Sequence, residues 1–277
     1  MEIRKLASFM DDPKGFIDHF GSLLSVIYTD VEDGLLYTLV QFYDPVYRCF
    51  TFPDYQLLPI MEEYAYILGM SVSGGVPFES RVIVEAIHLR KSEIDVNLIV
   101  KGGIRGLTSK FWIEKSFSFA NVGIVVAFET IFALLKYGLI LFPNIDNFVS
   151  VNAIWILLIR NLVPTLLCDT YFSIHHRTSK EGGTIVCCAP LLYKWFISHL
   201  LQSPIFKENK GYLRWSQILM SLNNDDIAWY SSIYNDVEII GHYGEFSKVS
   251  FLGTQGRMNY NPALARRQFG FAMKDKT

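Results

Sequence analysis

The chain has 277 residues, of which 51% are hydrophobic and 19% are charged, and this balance excludes an intrinsically disordered protein because disorder requires low hydropathy and high charge. A net charge of −2 and a pI near 6.3 exclude a protein-wide basic field that would attract nucleic acid. Four irregularly spaced cysteines make no disulfide framework, so we expect a reducing compartment.

The first part of the chain predicts amphipathic helices around one β-hairpin. Apolar residues at spacings of three and four predict a helix that opens after Pro13, and a second helix over 31–44 that ends before Pro45. Alternation in "RCFTFPDYQLLP" predicts a short hairpin across a Pro-Asp turn. The next segment, "IMEEYAYILGM", predicts a helix with acidic residues near its positive N-terminus. Ser80 is expected to cap a helix over 81–89.

Three glycines, at positions 102, 103 and 106, suggest at first sight a loop that cradles a nucleotide phosphate. Their order is G-G-x-x-G rather than G-x-G-x-x-G, and no strong strand pattern precedes them. We therefore interpret this segment as a linker before a helix that begins at Leu107. No Walker A pattern occurs in the sequence, so neither kind of phosphate loop is predicted.

Two apolar segments, 122–142 and 148–168, are long enough to span a membrane. Both carry charge near the middle, Glu129 and Lys136 in the first and Arg160 in the second. A charge at the bilayer centre costs about 2.5–3.5 kcal/mol, so the segments predict buried helices rather than membrane spans. The N-terminus lacks the apolar run of a secretory signal, and we expect a soluble intracellular protein.

The stretch "YFSIHHRTSKEGGTIVCCAPLLYKWF" predicts a helical hairpin. Its first helix is expected to end near His175 and His176, followed by an exposed connection over 177–183. The second helix is expected to contain Cys187 and Cys188 in its buried part and to run through His199. Further on, "NNDDIAWY" has the pattern of a capped helix start.

Histidines and cysteines in this stretch could bind zinc or form a nucleophilic pair. Zinc needs four converging ligands, whereas adjacent residues on a helix point about 100° apart. A cysteine nucleophile needs a thiolate beside a base, which sequence proximity does not establish. We therefore assign no catalytic, cofactor-binding or metal residue here and predict packed cysteines. The weak candidates for a metal site are His175, His176, Cys187 and His199.

Three segments resemble the plant mobile domain family, which is often labelled "aminotransferase-like". They are "FTFPDYQLLPIMEEYAYILGMSV", "LLKYGLILFPNIDNFVSVNAI" and "TLLCDTYFSIHHRTSKEGGTIVCCAPLLYKWFISHL". Their order and spacing carry the resemblance over residues 44–199. Two further segments, "RWSQILMSLNNDDIAWY" and "NYNPALARRQFGF", are similar to a legume-type branch of uncharacterised proteins. The chain departs from the family at Ile60, where Thr is usual, and at Met70-Ser71, where Leu-Pro is usual.

This resemblance implies a mostly helical, transposon-derived domain in the nucleus, linked with transposon silencing and genome maintenance. It implies no known active site. The label "aminotransferase-like" would require a lysine that forms a Schiff base, but Lys194 in "LLYKWF" is better explained by a packed stem with its amine in water. A transposase would need three carboxylates around two magnesium ions. The available acids, which no spacing selects as a triad, are Asp146, Asp169, Asp225 and Asp226.

We predict one compact, mainly α-helical domain over 1–277 with one or two short β-hairpins, in which 44–199 is the best-supported part. Residues 236–277 are expected to form a less regular C-terminal extension, for which truncation is one interpretation. The leading hypothesis is a non-enzymatic interaction or scaffold domain without a cofactor, which binds other proteins and no membrane. The alternative is a metal- or Cys/His-dependent enzyme built around the 175–199 hairpin. Nucleic acid is a weaker partner, supported by two small basic spots at Arg177, Lys180, Arg266 and Arg267.

Overall fold

A computed structural model describes a large part of the chain, and the fold there is mainly helical. The described residues are 6–20, 22, 26, 29–32, 34–70, 89–158, 161–179, 185–201, 203–204, 206, 214–229 and 249–260. Ten α-helices have bounds within these ranges: α1 (Pro13–Phe20), α2 (Leu35–Leu39), α3 (Met61–Leu68), α4 (Lys91–Asn97), α5 (Ser109–Val122), α6 (Val125–Lys136), α7 (Val151–Leu158), α8 (Leu162–Ser179), α9 (Ala189–Leu200) and α10 (Trp215–Ser221). Shorter turns are the 3-10 helices Ala7–Phe9, Val40–Phe42 and Asn224–Asp226 and the π-helix Tyr137–Leu141.

Eight short strands form three antiparallel sheets in the described part of the chain. The strands are β1 (Tyr43–Asp44), β2 (Cys49–Thr51), β3 (Gln56–Leu57), β4 (Ile99–Lys101), β5 (Ile104–Thr108), β6 (Phe148–Ser150), β7 (Val249–Leu252) and β8 (Arg257–Tyr260). The sheet orders are β1-β2-β3, β4-β5-β6 and β7-β8. The prediction of a mainly helical fold is confirmed, while the expected one or two hairpins are replaced by three sheets, two of them three-stranded.

The predicted hairpin after residue 48 is present as β2 and β3. Phe50 pairs with Leu57 and Thr51 with Gln56, and the Pro-Asp turn joins the strands. The helix predicted next is α3, which ends where Gly69 adopts a left-handed conformation with φ of 61°. Glycine adopts that conformation without a steric penalty, so it stops the helix cleanly. Ser80 and the helix expected over 81–89 lie outside the described residues.

The interpretation of the glycine-rich segment as a linker is wrong. It forms the β4–β5 hairpin, whose turn is made by Gly102 and Gly103 with φ of 59° and 79°. Gly106 lies in β5 against β6, where an added Cβ would collide with the carbonyl oxygen of Val149. The partner strand β6 begins forty positions after the end of β5, a separation that local pattern analysis does not cover. Helix α5 then begins at Ser109, two residues after the predicted start.

Each long apolar segment is divided into several elements. The first contains α6 and the π-helix. In the π-helix, Gly138 lies so close to Val149 of β6 that an added Cβ would be only 2.6 Å from the Val149 side chain. The second contains β6, α7 and the start of α8. Within the described residues, no helix combines the length and hydropathy needed to cross a membrane. Most of the described apolar side chains of both segments instead lie in the core, which also includes the inner face of α9.

The described part of the C-terminal region, 249–260, is a regular hairpin that packs on α8. Its turn is fixed by Asp169, whose carboxylate accepts hydrogen bonds from the Thr254 backbone N–H at 2.8 Å and from its hydroxyl at 2.6 Å. Asn144 donates to the Thr254 hydroxyl at 2.7 Å. The turn approaches α8 so closely that an added Cβ at Gly253 would collide with the Asp169 carboxylate. This hairpin is therefore part of the folded domain.

Candidate functional site

Two deeply buried ionisable side chains near the predicted hairpin are Glu63 of α3 and His199 of α9. Their side chains are 1% and 3% exposed, and Nε2 of His199 lies 3.3 Å from Oε1 of Glu63. The other carboxylate oxygen of Glu63 accepts a hydrogen bond of 2.7 Å from the Trp195 indole N–H. Nδ1 of His199 lies 2.9 Å from the backbone carbonyl oxygen of Ala228. These contacts join α3 and α9 to the segment after α10.

This arrangement shifts the protonation equilibrium of His199 toward its charged form. Burial acts to lower the pKa of the imidazole, but the charge of Glu63 and the Ala228 carbonyl outweigh it, so the pKa is raised. A carbonyl only accepts, so Nδ1 must carry a proton to bond Ala228. Nε2 is at ion-pair distance from Glu63 but outside hydrogen-bond geometry, so that contact is mainly electrostatic. The pair acts as a buried connection between helices.

Local sequence explains why Glu63 occupies this position. It is the third residue of α3, and its Oε2 accepts the backbone N–H of Ile60 at 3.4 Å. Ile60 has no side-chain acceptor, so the reciprocal half of a capping box is missing at this helix start. An acid in a first helical turn is favoured by the helix dipole. The sequence pattern therefore placed Glu63 at the N-terminus of a helix, but it gave no sign of His199.

The adjacent cysteines are buried but poorly suited to nucleophilic chemistry. Burial raises the pKa of the Cys188 thiol to about 12 and raises that of Cys187 further, with the neighbouring thiol adding to it. A cysteine nucleophile needs a lowered pKa. The prediction that both lie within the second helix is wrong, because α9 begins at Ala189 with Cys188 as its N-cap. Pro190, which has no N–H to donate, suits the first turn of this helix.

His175 and His176 lie in the last turns of α8, as predicted. His175 is half-buried with its ring 6.5 Å from that of Tyr43, and burial, Arg48 and His176 lower its pKa. His176 is exposed and stacks on Phe172 at 6.0 Å. Of the connection predicted to be exposed, 180–184 lies outside the described residues.

The four weak metal candidates do not share one site. His199 contacts Glu63, while His175 faces Tyr43 and His176 faces Phe172. Among the residues that the structure describes, no group of three or more His, Cys, Asp or Glu side chains could hold a metal ion. The acids considered for a two-metal centre have separate roles too. Asp169 holds the β7–β8 turn, whereas Asp226 accepts the backbone N–H of Asn223 at 3.0 Å.

The end of α8 also carries an exposed aromatic and basic surface. The guanidinium carbon of Arg177 lies 4.9 Å from the ring centroid of Tyr37, which is 60% exposed. The β1–β2 turn lies beside them, since Tyr43 contacts His175 and Arg48 is close enough to lower its pKa. In this turn Val46 and Tyr47 are 81% and 65% exposed. We call these residues the helix-end surface: Tyr37, Val46, Tyr47, Arg48, His176 and Arg177.

One protein-family model matches the chain over residues 3–277, and it describes a domain of unknown function, DUF7745. The chain belongs to the DUF7745 family. No curated protein and no solved structure matches it. The DUF7745 match covers far more of the chain than the 44–199 segment that resembles the plant mobile domain family. It carries no description of activity, so the plant mobile domain relationship stays a prediction.

The main features that the sequence left unrecognised in this DUF7745 chain are contacts between distant residues. Glu63 and Trp195 are 132 positions apart, and Asp169 and Thr254 are 85 positions apart. For these contacts, the local sequence indicated only that Glu63 is an acid in the first turn of α3. The helix-end surface was recognised in part through Arg177, whereas the contribution of Tyr37 was missed because α2 is distant in sequence.

Proposed function

We propose that this protein is a non-enzymatic interaction domain of transposon origin, and that the helix-end surface is where it contacts other proteins. The observation that carries the proposal is the 60% exposure of Tyr37 beside the cation of Arg177, together with the 65% exposure of Tyr47 in the β1–β2 turn. Tyrosine and arginine are enriched among the residues that dominate binding energy at protein interfaces.

The buried carboxylates and thiols, whose environment differs from that of the exposed aromatic residues, also support the proposal. The carboxylates of Glu63 and Asp169 are buried and used in contacts within the protein. Burial raises the pKa values of the Cys168 and Cys188 thiols to about 12, which opposes thiolate formation. The exposed aromatic groups have no comparable internal role, and they are the part of the described surface best suited to a partner.

The transposon origin and the nuclear location that we propose rest on the three sequence segments that resemble the plant mobile domain family.

The enzyme alternative rests on the His and Cys residues of 175–199. Elemental analysis of purified protein tests it directly. Stoichiometric zinc that is lost on substitution of Cys187 and His176 would favour the enzyme over the interaction domain.

Affinity purification of the tagged protein from nuclear extract tests the interaction proposal. Three chains are compared with and without nuclease: the natural sequence, the double variant Tyr37→Ser/Tyr47→Ser and the control Trp155→Ser. Trp155 is a matched control because it is 50% exposed on α7, which leads into the opposite end of α8. An 18-residue helix such as α8 is about 27 Å long, so the control lies well away from the helix-end surface.

We expect nuclease-resistant protein partners that the natural sequence and Trp155→Ser retain and the double variant loses. Retention of the same partners by the double variant would refute the assignment of the surface. Loss of all partners after nuclease treatment would show tethering through nucleic acid, which aromatic and basic residues also bind in single-stranded form.

A further inference from the structure

Helix α9 has two different faces, and its outer face lines a groove. The inner face is buried and carries Trp195 and His199. The groove-lining residues follow each other at spacings of one, three, one and three along the helix and its C-terminal end, so they share one side. They are Tyr193, Lys194, Ile197, Ser198 and Leu201.

The opposite wall of this groove comes from α3 and from the N-terminal region. Tyr66 and Ile67 line it from the end of α3, and Ser22 and Thr29 line it from the N-terminal region. The Ser22 backbone N–H donates to the Leu68 carbonyl at 2.6 Å, which holds this wall against α3. The groove is open to solvent and has a volume of about 690 Å³, within the roughly 300–1,000 Å³ of small-molecule sites.

Lys194 is the cation among the described residues that line this groove, and Glu32 is the described acid whose charge reaches the neighbouring Tyr193. Lys194 makes no ion pair or hydrogen bond in the described part of the protein. Partial burial removes some water from its ammonium group and so lowers the pKa of that group. Lysines often place an apolar stem on the surface with the amine in water, but here the stem shares the groove with two tyrosine rings.

We propose that this groove binds a small aromatic carboxylate, whose ring packs against Tyr66 and Tyr193 and whose carboxylate pairs with the Lys194 ammonium. Charge complementarity selects an anion, and the two aromatic rings favour a flat aromatic body over an aliphatic chain. This small-molecule site lies on α3 and α9 and shares no residue with the helix-end surface, and it does not depend on the proposed function.

Isothermal titration with three naphthalene probes tests the proposal. The probes are 2-naphthoate, neutral 2-naphthalenemethanol and cationic 2-naphthylmethylamine, which share a ring and differ in charge. Each is titrated into the full natural chain, Lys194→Met and Lys110→Met. Lys110 is a matched control because its side chain is 84% exposed on α5. Circular dichroism of each variant confirms that the helices are intact.

We expect 2-naphthoate to bind the natural chain and Lys110→Met with equal affinity and Lys194→Met about two- to fivefold more weakly, which is the effect of one partly exposed charge pair. The neutral probe should bind all three chains equally. Several results would overturn the proposal: no binding of 2-naphthoate to the natural chain, equal 2-naphthoate affinity for Lys194→Met, or an equal loss for all probes. Tighter binding of the amine would also overturn it and would point to Glu32, which together with burial raises the pKa of Tyr193.

Discussion

Lys136 gives the sharpest test of the energetics of this fold. It ends α6 with a side chain that is only 1% exposed, and its Nζ has no hydrogen-bond partner among the described residues. Nζ lies 4.2 Å from the ring centroid of Phe16 and 3.9 Å from that of Phe132. Burial lowers the pKa of this lysine from 10.5 to about 7. We predict that Lys136→Met stabilises the protein below pH 7.

The magnitude follows from the pKa and the two rings. A fall in pKa from 10.5 to about 7 corresponds to about 5 kcal/mol of lost preference for the charged form. Each aromatic face offsets about 0.5–2 kcal/mol of this cost when the cation is desolvated. The remaining penalty is about 1–4 kcal/mol, and methionine removes it with nearly the same volume and helix propensity.

The dependence on pH distinguishes a buried charge from ordinary repacking. The folded pKa lies below the unfolded one, so the natural protein carries the full penalty below about pH 7 and recovers stability as the pH rises toward 10.5. We expect Lys136→Met to raise the free energy of unfolding by about 2 kcal/mol at pH 6 and to lose most of this gain at pH 10.

Urea denaturation with linear extrapolation at both pH values measures this difference. The control is Lys110→Met, an exposed substitution of the same type, which should change stability by less than about 0.5 kcal/mol. A gain of equal size at pH 6 and pH 10, or a loss of stability at pH 6, would refute the reasoning.

Three further predictions concern the buried polar contacts. Glu63→Gln should lower the free energy of unfolding by about 3–5 kcal/mol at pH 6. Because the pKa of His199 is raised, this loss should shrink as the pH rises through that pKa. An equal loss at pH 9, measured by urea denaturation, would contradict an ion pair. Cys187 should react slowly with a thiol reagent in the folded protein and quickly after denaturation, as measured by timed labelling and mass spectrometry; rapid native labelling would contradict its burial. Thr254→Val should cost about 1–3 kcal/mol by loss of the hydroxyl that donates to Asp169. Burial raises the pKa of Asp169 to about 6, so the stability that this carboxyl group contributes falls as the pH rises from about 4 to about 6. Denaturation at several pH values should show a steeper fall in the variant, because the Thr254 hydroxyl lowers the pKa of Asp169 in the natural protein.

Features set by a few neighbouring residues were predictable from the sequence. The β2–β3 hairpin follows from alternation around a Pro-Asp turn, and α3 follows from its acidic start and its end at Gly69. The same local pattern placed His175 and His176 in the last turns of one helix. Each of these depends on backbone preferences and contacts within about four residues, which are visible in the order of the side chains.

Features set by packing between distant segments were not predictable in this way. The pairing of β5 with β6 turned a supposed linker into a strand, and the start of α9 left Cys187 and Cys188 outside the helix yet buried. The partner of Glu63 came from α9, although nothing near Glu63 in the sequence indicated it. A buried charge takes whatever partner the packed helices bring within reach, and that partner depends on the three-dimensional arrangement of the whole core rather than on local order.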